Sequence, residues 1–331
     1  MKLLTAAMGA ILGTMFTLVP GVAGAQEYPA KPIRLLIPFT PGGGTDFISR
    51  VVSSKLAETL KWQIVPENRP GAAGNLAIEL ASKSSPDGYT IVVGQPDNMM
   101  VGPYLYANVG YDTIKSFVPI VQLSETSNVL VTSATAPAGG TQPRLVTVAD
   151  LIAKGNSASG LIWATSGNGS TGHLYGELFR SAAAIKLLQV PYKGAAPALA
   201  DVMGGQVDLA IMSAPSVLGL VRGGKLTPVA VTTGKRSAML PNTPTLEESG
   251  LKIIPTANWL GLFAPAGTPL AIVARLNAEV NKVLQMPEVR EKITTGGAIP
   301  VGGSTEEFAA FVSAEYAKWG SIVRDSGVKL E

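Results

Sequence analysis

The chain has 331 residues, 46% of them apolar and 15% charged, which suffices for two domains with large cores and excludes a disordered protein. Its formal charge is +3 and its basic residues form no run, which argues against a nucleic-acid partner. Cysteine is absent and His173 is the only histidine, so thiolate sites, disulfides, a cysteine nucleophile and histidine-rich metal centres are excluded. We expect no metal and no cofactor.

The first 25 residues have the layout of a secretory signal peptide. Lys2 precedes an apolar stretch over residues 3–19, and Ala23-Gly24-Ala25 supplies small residues for cleavage after Ala25. A membrane anchor is the alternative, but Gly and Thr dilute a run that is marginal for spanning. We therefore expect an exported protein, in a compartment without a pool of ATP or NAD.

Short β-branched runs alternate with helical patterns along the rest of the chain. We predict strands at 33–39, 63–67, 90–93, 161–165, 188–191, 207–212, 227–232 and 258–264. We predict helices at 47–60, 75–83, 173–184, 196–203, 215–222, 271–284, 287–293 and 305–323. This alternation is typical of parallel sheets with helices on both faces. Thr45 or Asp46 is expected to cap the first helix.

Two sheets are the natural division of this pattern. Domain 1 is predicted at residues 26–124 with 254–331, and domain 2 at 125–253. The stretch Ser133–Pro143 is expected to be a surface excursion of domain 2. The strand at 258–264 would return to the first sheet, where the terminal helices would also pack. Two crossings of the chain between domains predict a hinge beside a cleft.

Two glycine loops join a strand to a helix, one in each predicted domain. Gly167–Gly172 is a literal G-x-G-x-x-G, but Tyr192-Lys193-Gly194 stands where a dinucleotide site needs an acidic residue. The exported location also argues against a nicotinamide cofactor. Backbone N–H groups at a helix start, with nearby hydroxyls, still suit an anion such as a carboxylate. Pro41–Asp46 has the same construction.

Serine hydrolysis is the main catalytic alternative. A nucleophile elbow has the pattern G-x-S-x-G, and Asn168 stands where its first glycine belongs. His173 is three residues from Ser170, a poor position for a base that another element must hold. A secreted serine hydrolase acting on small esters is kept as the alternative, with His173 expected to be structural or to contact the ligand.

Motifs along the whole mature chain resemble one family. They include Tyr28–Arg34, Pro38–Asp46 with Arg50, Glu67–Gly74, Pro86–Thr90, Ser166–Leu174, Val190–Gly194, Gly204–Asp208, Arg236, Leu240–Thr245, Glu248, Trp259 and Ala264–Pro269. In order and spacing they resemble the Bug receptors, the TctC-like extracytoplasmic solute receptors of tripartite tricarboxylate transporters.

The resemblance implies the type II periplasmic-binding-protein fold, α/β in class, in which two domains close on a ligand without catalysis. Its ligands would be di- or tricarboxylates, acidic amino acids or aromatic carboxylates. One carboxylate would lie between the loops Thr40–Asp46 and Ser166–His173, held by neutral donors because neither loop contains Arg or Lys. The far end of the pocket, where strands end, is expected to contain Phe39, Gln95, Met212 and Ala214. Asp208 is the last residue of the motif Gly204–Asp208, which also matches the family.

The predicted ligand-binding residues are therefore Phe39, Thr40, Gly43, Gly44, Thr45, Asp46, Gln95, Ser166, Asn168, Gly169, Ser170, Thr171, His173, Asp208, Met212 and Ala214. The resemblance further implies a periplasmic location and a monomer. Its partner would be the inner-membrane subunits of a tripartite tricarboxylate transporter, or a sensor kinase.

Overall fold

The computed structural model describes residues 28–135 and 144–328. Within them the strands are β1 (Ile33–Ile37), β2 (Ile64–Asn68), β3 (Thr90–Gly94), β4 (Phe117–Thr126), β5 (Asn128–Ser133), β6 (Leu161–Thr165), β7 (Leu187–Pro191), β8 (Leu209–Ser213), β9 (Leu226–Val231), β10 (Asn258–Pro265) and β11 (Ile299–Gly302). The α-helices are α1 (Gly44–Leu60), α2 (Asn75–Ser82), α3 (Gly102–Leu105), α4 (Val148–Gly155), α5 (Thr171–Ala183), α6 (Ala195–Met203), α7 (Ala214–Arg222), α8 (Leu270–Gln285), α9 (Pro287–Thr295) and α10 (Thr305–Ser326). Every predicted strand and helix is present, whereas β4, β5, β11, α3 and α4 were not predicted.

The strands form two mixed sheets, in the orders β11-β4-β10-β3-β1-β2 and β7-β6-β8-β5-β9. Strand β1 runs parallel to β2 and β3, and β6 runs parallel to β7 and β8. Strand β10 is antiparallel to β3 and β4, and β5 is antiparallel to β8 and β9. The prediction of wholly parallel sheets is therefore wrong. A helical crossover returns a strand parallel to its neighbour, but β5 and β10 enter their sheets where the chain passes between the sheets.

Helices cover both faces of each sheet. Helices α1, α8 and α9 pack on one face of the six-stranded sheet, and α2 and α10 pack on the other. In the five-stranded sheet α6 and α7 lie on one face, with α4 and α5 on the opposite face. Strands β3 and β10 are buried along their whole length, as expected for strands covered on both sides. The terminal helices do pack on the first sheet, as predicted.

The two crossings between the sheets lie side by side. Strand β4 ends at Thr126 and β5 begins at Asn128, so the outward crossing is a single residue. The return runs from β9 through residues 232–257 to β10. Asn258 Nδ2 donates to Asn128 Oδ1 at 3.4 Å, which joins the two crossings. The chain can therefore bend at one place between the two sheets.

Some sequence predictions fall outside the described residues. These are the signal peptide at residues 1–25 and residues 136–143 of the expected surface excursion Ser133–Pro143. Among the helices described in residues 28–135 and 144–328, none combines the length and the apolar character that a membrane crossing requires.

Candidate ligand-binding site

A narrow cavity lies where the glycine loops of the two sheets meet. The carboxyl ends of β1, β3, β6 and β8 point to it, which is where open α/β sheets bind ligands. The cavity is lined by Phe39, Gly43, Gly44, Thr45, Gln95, Asp97, Asn128, Ser166, Thr171, Gly172, Ala195, Ile211, Met212, Ser213, Ser216 and Asn258. Both predicted loops thus contribute to a single site between the sheets.

Half of the predicted ligand-binding residues line this cavity, namely Phe39, Gly43, Gly44, Thr45, Gln95, Ser166, Thr171 and Met212. Their contact with a ligand stays a prediction. The other half do not line it, namely Thr40, Asp46, Asn168, Gly169, Ser170, His173, Asp208 and Ala214.

The loop of domain 1 presents the start of α1 to the cavity. Gly43 is the N-cap, so the expected capping by Thr45 or Asp46 is wrong and the helix starts three residues before its predicted start. The Gly44 N–H donates to Ser216 Oγ across the cavity at 2.8 Å. None of the described residues accepts the Thr45 N–H, one of the donors that a helix start leaves without a partner. This N–H group is available to an anion.

The Asp46 carboxylate belongs to a different network. It accepts the Gly42 N–H at 3.1 Å and pairs with Arg50 at 2.8 Å. Asn68 Nδ2 donates to the same carboxylate at 3.0 Å. The Asp46 carboxylate is therefore held by contacts within domain 1, and its direct contact with a ligand stays a prediction that this geometry does not support.

Several donors of the domain 2 loop are used internally. Ser170 is the N-cap of α5, and its Oγ accepts the His173 N–H at 3.2 Å. The Gly169 N–H donates to His173 Nδ1 at 3.1 Å. Burial lowers the pKa of His173, partly opposed by Glu177, and the resulting neutral ring can accept this bond at Nδ1. The prediction that Gly169, Ser170 and His173 face the ligand is therefore not supported by the geometry.

This arrangement also removes the serine-hydrolase geometry. Ser170 Oγ accepts a backbone N–H, and the His173 ring accepts another from Gly169, so no hydrogen bond between hydroxyl and ring is formed. A nucleophile needs its base within hydrogen-bond reach of its own proton. Ser170 and His173 instead shape the start of α5.

Asp97 brings a carboxylate from domain 1 to the start of α5. Thr171 donates to its Oδ1 twice, from the backbone N–H at 3.1 Å and from Oγ1 at 2.7 Å. Ser166 Oγ lies 3.5 Å from Oδ2. Burial raises the pKa of Asp97, against the opposing effect of these hydrogen bonds. An internal carboxylate thus occupies the position where the sequence predicts a ligand carboxylate.

The start of α1 also donates to a side chain that follows β3. Thr45 Oγ1 donates to Gln95 Oε1 at 2.6 Å. Gln95 and Asp97 both line the cavity. The starts of α1 and α5 therefore each donate a threonine hydroxyl to the segment that follows β3.

Three further predicted residues have identifiable structural roles. Asp208 precedes β8, at the end of the strand opposite the cavity, where it forms an ion pair with Lys154 and accepts the Ile162 N–H at 2.9 Å. Ala214 is fully buried, and its N–H donates to Ser127 O at 2.9 Å. Asn168 O accepts the Tyr106 hydroxyl at 2.5 Å at the mouth of the cleft. The Asp208 carboxylate serves the internal packing of domain 2, and its contact with a ligand stays a prediction that this geometry does not support.

Sequence reasoning missed several residues that line the cavity, namely Asp97, Asn128, Gly172, Ala195, Ile211, Ser213, Ser216 and Asn258. Asp97 and Ser213 carried a usable signal because each lies at or just beyond the end of a predicted strand. Asp97 also fits a turn, where aspartate is common for backbone reasons. Asn128 and Asn258 lie at the crossings, which no local pattern indicates.

Residues 48–328 match the family described as "Tripartite tricarboxylate transporter family receptor", TctC. The chain belongs to this family. BugT of Bordetella pertussis is 33% identical over 97% of this chain and 98% of its own. A solved R. palustris protein with adipate is 35% identical with a TM-score of 0.85, over 92% of this chain and 99% of that chain. MatC from Rhodopseudomonas palustris with bound malate is 29% identical with a TM-score of 0.82, over 89% of this chain and 100% of that chain.

These similarities confirm the resemblance to the Bug and TctC receptors and the expected periplasmic-binding-protein fold with two α/β domains. The family consists of solute-binding receptors, which carry out no reaction. The protein is therefore a receptor and not an enzyme, and the serine-hydrolase alternative is wrong.

Proposed function

We propose that this receptor captures a small organic acid between its two domains and holds one carboxylate at the start of α1. The observation that carries the proposal is made at Thr45, a residue that lines the cavity and whose N–H has no acceptor among the described residues. The positive end of a helix favours a carboxylate at this place. The similar proteins solved with adipate and with malate agree with an acid as ligand.

Asn128 offers a second donor for the ligand. Its side chain lines the cavity and is 2% exposed, and its Nδ2 has no hydrogen-bond partner among the described residues. A buried amide without a partner destabilises the structure by about 1–3 kcal/mol. A ligand carbonyl, hydroxyl or carboxylate oxygen at this position would satisfy it, so we assign Asn128 to the end of the ligand nearest the crossings.

Entry of the ligand requires the domains to separate. A cavity of about 30 Å³ remains between them, which is room for about two water molecules. We propose that they rotate at the two crossings, with domain 1 formed by residues 26–124 and 254–331 and domain 2 by 125–253. Closure on the ligand would then re-form contacts such as Gly44 N–H to Ser216 Oγ.

We further propose export to the periplasm, with cleavage of the signal peptide after Ala25, and action as a monomer. The captured acid would pass to the membrane subunits of a tripartite tricarboxylate transporter or to a sensor kinase. The membership of the receptor family and the layout of residues 1–25 support this proposal.

A thermal-shift screen of organic acids tests the proposed function. A ligand that binds only the folded state raises the melting temperature by mass action. We expect at least one small carboxylic acid to bind saturably, and its methyl ester to bind much more weakly. Small-angle scattering with the confirmed ligand should show a more compact particle. Saturable binding of the ester as tightly as the acid would contradict the proposal.

A further inference from the structure

Asp97 gives the cavity a carboxyl group that has no cationic partner among the described residues. It is 2% exposed and is the only ionisable side chain among the described residues that line the cavity. No Lys, Arg or His of residues 28–135 and 144–328 lies within ion-pair distance of it. The hydrogen bonds that hold its carboxyl come from the neutral hydroxyls of Thr171 and Ser166 and from the Thr171 N–H.

The hydrogen bonds to the two carboxylate oxygens are unequal. Oδ1 receives both donors of Thr171, at 3.1 and 2.7 Å. The hydroxyl of Ser166, at 3.5 Å from Oδ2, is at the outer limit of a hydrogen bond. A carboxylate oxygen can accept two hydrogen bonds. Oδ2 therefore has capacity to accept a donor from a ligand in the cavity.

A buried carboxylate discriminates between ligands by charge. A dicarboxylate held at α1 would bring its second negative group into the same enclosed space as Asp97. Two carboxylates in a site of low dielectric repel each other. Either one of them takes up a proton, or the repulsion weakens the binding of the ligand. An ammonium group would instead form a charge-assisted hydrogen bond with Asp97.

We propose that the ligand of this receptor is an amino-carboxylic acid whose ammonium group pairs with Asp97 while its carboxylate lies at the start of α1. This inference rests on the proposed function and narrows its ligand class. Asp97 is then the residue that selects an amino acid over a dicarboxylate of the same length.

Matched probe pairs test the inference. Glutarate is paired with γ-aminobutyrate, adipate with δ-aminovalerate, and terephthalate with p-aminomethylbenzoate. In the two aliphatic pairs an ammonium group replaces one carboxylate, and in the aromatic pair an aminomethyl group replaces it. Dissociation constants are measured by calorimetry at neutral pH. We expect the wild type to bind at least one amino member of these pairs, and to bind it at least tenfold more tightly than its dicarboxylate.

The variant Asp97→Asn removes the charge and keeps an oxygen for the two Thr171 donors. We expect it to lose at least tenfold affinity for the amino probe and to gain affinity for the dicarboxylate. Asp87→Asn is the matched control, because Asp87 is on domain 1 but lies in an exposed ion pair with Lys31. It should change neither dissociation constant. Circular dichroism verifies that both variants fold, and the wild-type preference is measured independently of them.

Three outcomes would overturn the inference. The first is a wild type that prefers the dicarboxylate of every pair, which would leave the proposed function in place. The second is an amino-acid preference that survives in Asp97→Asn, since selection would then come from another residue. The third is a wild type that binds none of the six probes. The separate screen of organic acids decides the proposed function in each case.

Discussion

The starts of α1 and α5 have the same construction and different chemistry. Each follows a buried strand and a glycine loop, and each faces the cavity between the domains. At α1 the Thr45 N–H has no acceptor among the described residues. At α5 the Thr171 N–H and hydroxyl donate to Asp97, and the Gly169 N–H donates to His173. The Thr171 donors of α5 are thus used within the protein, whereas the Thr45 N–H of α1 is not.

The difference shows what a glycine loop before a helix does and does not predict. The local pattern predicts that N–H groups gather at the helix start, because the first turn leaves its donors without partners. It does not predict which acceptor they find. At α5 that acceptor comes from a residue 74 positions away, on the other domain. The same pattern thus leaves the Thr45 N–H without an acceptor in one domain and forms a contact between domains in the other.

The largest effect is expected from Gly44→Val at the start of α1. A Cβ at Gly44 would lie 2.7 Å from Ser213 Oγ and 3.0 Å from Pro215 Cβ in domain 2. Valine adds two further methyl groups, and overpacking of this kind costs roughly 1–3 kcal/mol or more. The closed form alone bears this cost, and contacts of 2.7 to 3.0 Å with Ser213, Pro215 and Ser216 place it at the upper end of that range, so affinity for a confirmed ligand should fall by about a hundredfold or more.

Gly219→Val is the control for this substitution. Gly219 is on α7, and no atom lies within 4 Å of the position its Cβ would take. The control should bind as the wild type does. Scattering should show that Gly44→Val stays expanded when the ligand is added. Wild-type affinity of Gly44→Val would mean that α1 and α7 do not approach each other in the bound form.

A smaller effect is expected from Thr171→Val at the start of α5. This change keeps the shape of the side chain and removes the hydroxyl that donates to Asp97 at 2.7 Å. A hydrogen bond to a charged group contributes roughly 1.5–3 kcal/mol. Since the bond joins the two domains, its loss should disfavour closure and weaken ligand binding by about tenfold to a hundredfold.

Thr132→Val separates closure from general stability. Thr132 is buried, and its hydroxyl donates to Leu145 O at 2.6 Å within domain 2. This variant should melt at a lower temperature than the wild type and keep the wild-type dissociation constant. If Thr171→Val and Thr132→Val behaved alike in calorimetry, the bond from Thr171 to Asp97 would have no part in closure.

Most of the fold could be predicted because its signals are local. Buried strands such as β1 and β3 are continuous apolar runs, and the helices between them show helical spacing. The missed elements have weaker signals. Strand β4 contains Pro119, and β11 is a four-residue edge strand whose Ile299 is exposed. Helix α4 has only eight residues, although Thr147 and Asp150 form a capping box before it.

Only those parts of the site that follow from the direction of the strands could be predicted from the sequence. Glycine loops at strand ends lead to the cavity because parallel strands end at the same edge of a sheet. No local sequence pattern indicates the contacts between the domains. Ser216, which accepts the Gly44 N–H, is 172 residues from it in sequence. Asp97 resembles any other aspartate after a strand until its partner Thr171 is known.

The smallest effect is expected in the pH dependence of stability that Asp97 causes. Asp97 is the carboxylate that distinguishes the start of α5 from the start of α1. Burial raises the pKa of Asp97 above 3.8 in the folded protein. As the pH rises above about 3.9, the unfolded chain ionises this group first, so the folded state binds more protons and loses stability. The loss ends once the pH passes the raised folded pKa.

Asparagine does not ionise, so Asp97→Asn does not lose stability in this way. Its melting temperature should equal that of the wild type near pH 3 and exceed it increasingly as the pH rises. For domains of this size each kcal/mol corresponds to about 2–4 °C.

Asp150→Asn should change the melting temperature in the opposite direction. The hydrogen bond with Thr147 and the bonds from the Val146 and Thr147 N–H groups lower the pKa of Asp150. The Asp150 bonds stabilise the fold above pH 3.8 and are lost as the pH falls, so Asp150→Asn should melt below the wild type at neutral pH only. Calorimetric scans from pH 3 to 8 measure both differences. A difference between Asp97→Asn and wild type that does not change with pH would show that Asp97 is hydrated rather than buried at α5, and the contrast between the two helix starts would then disappear.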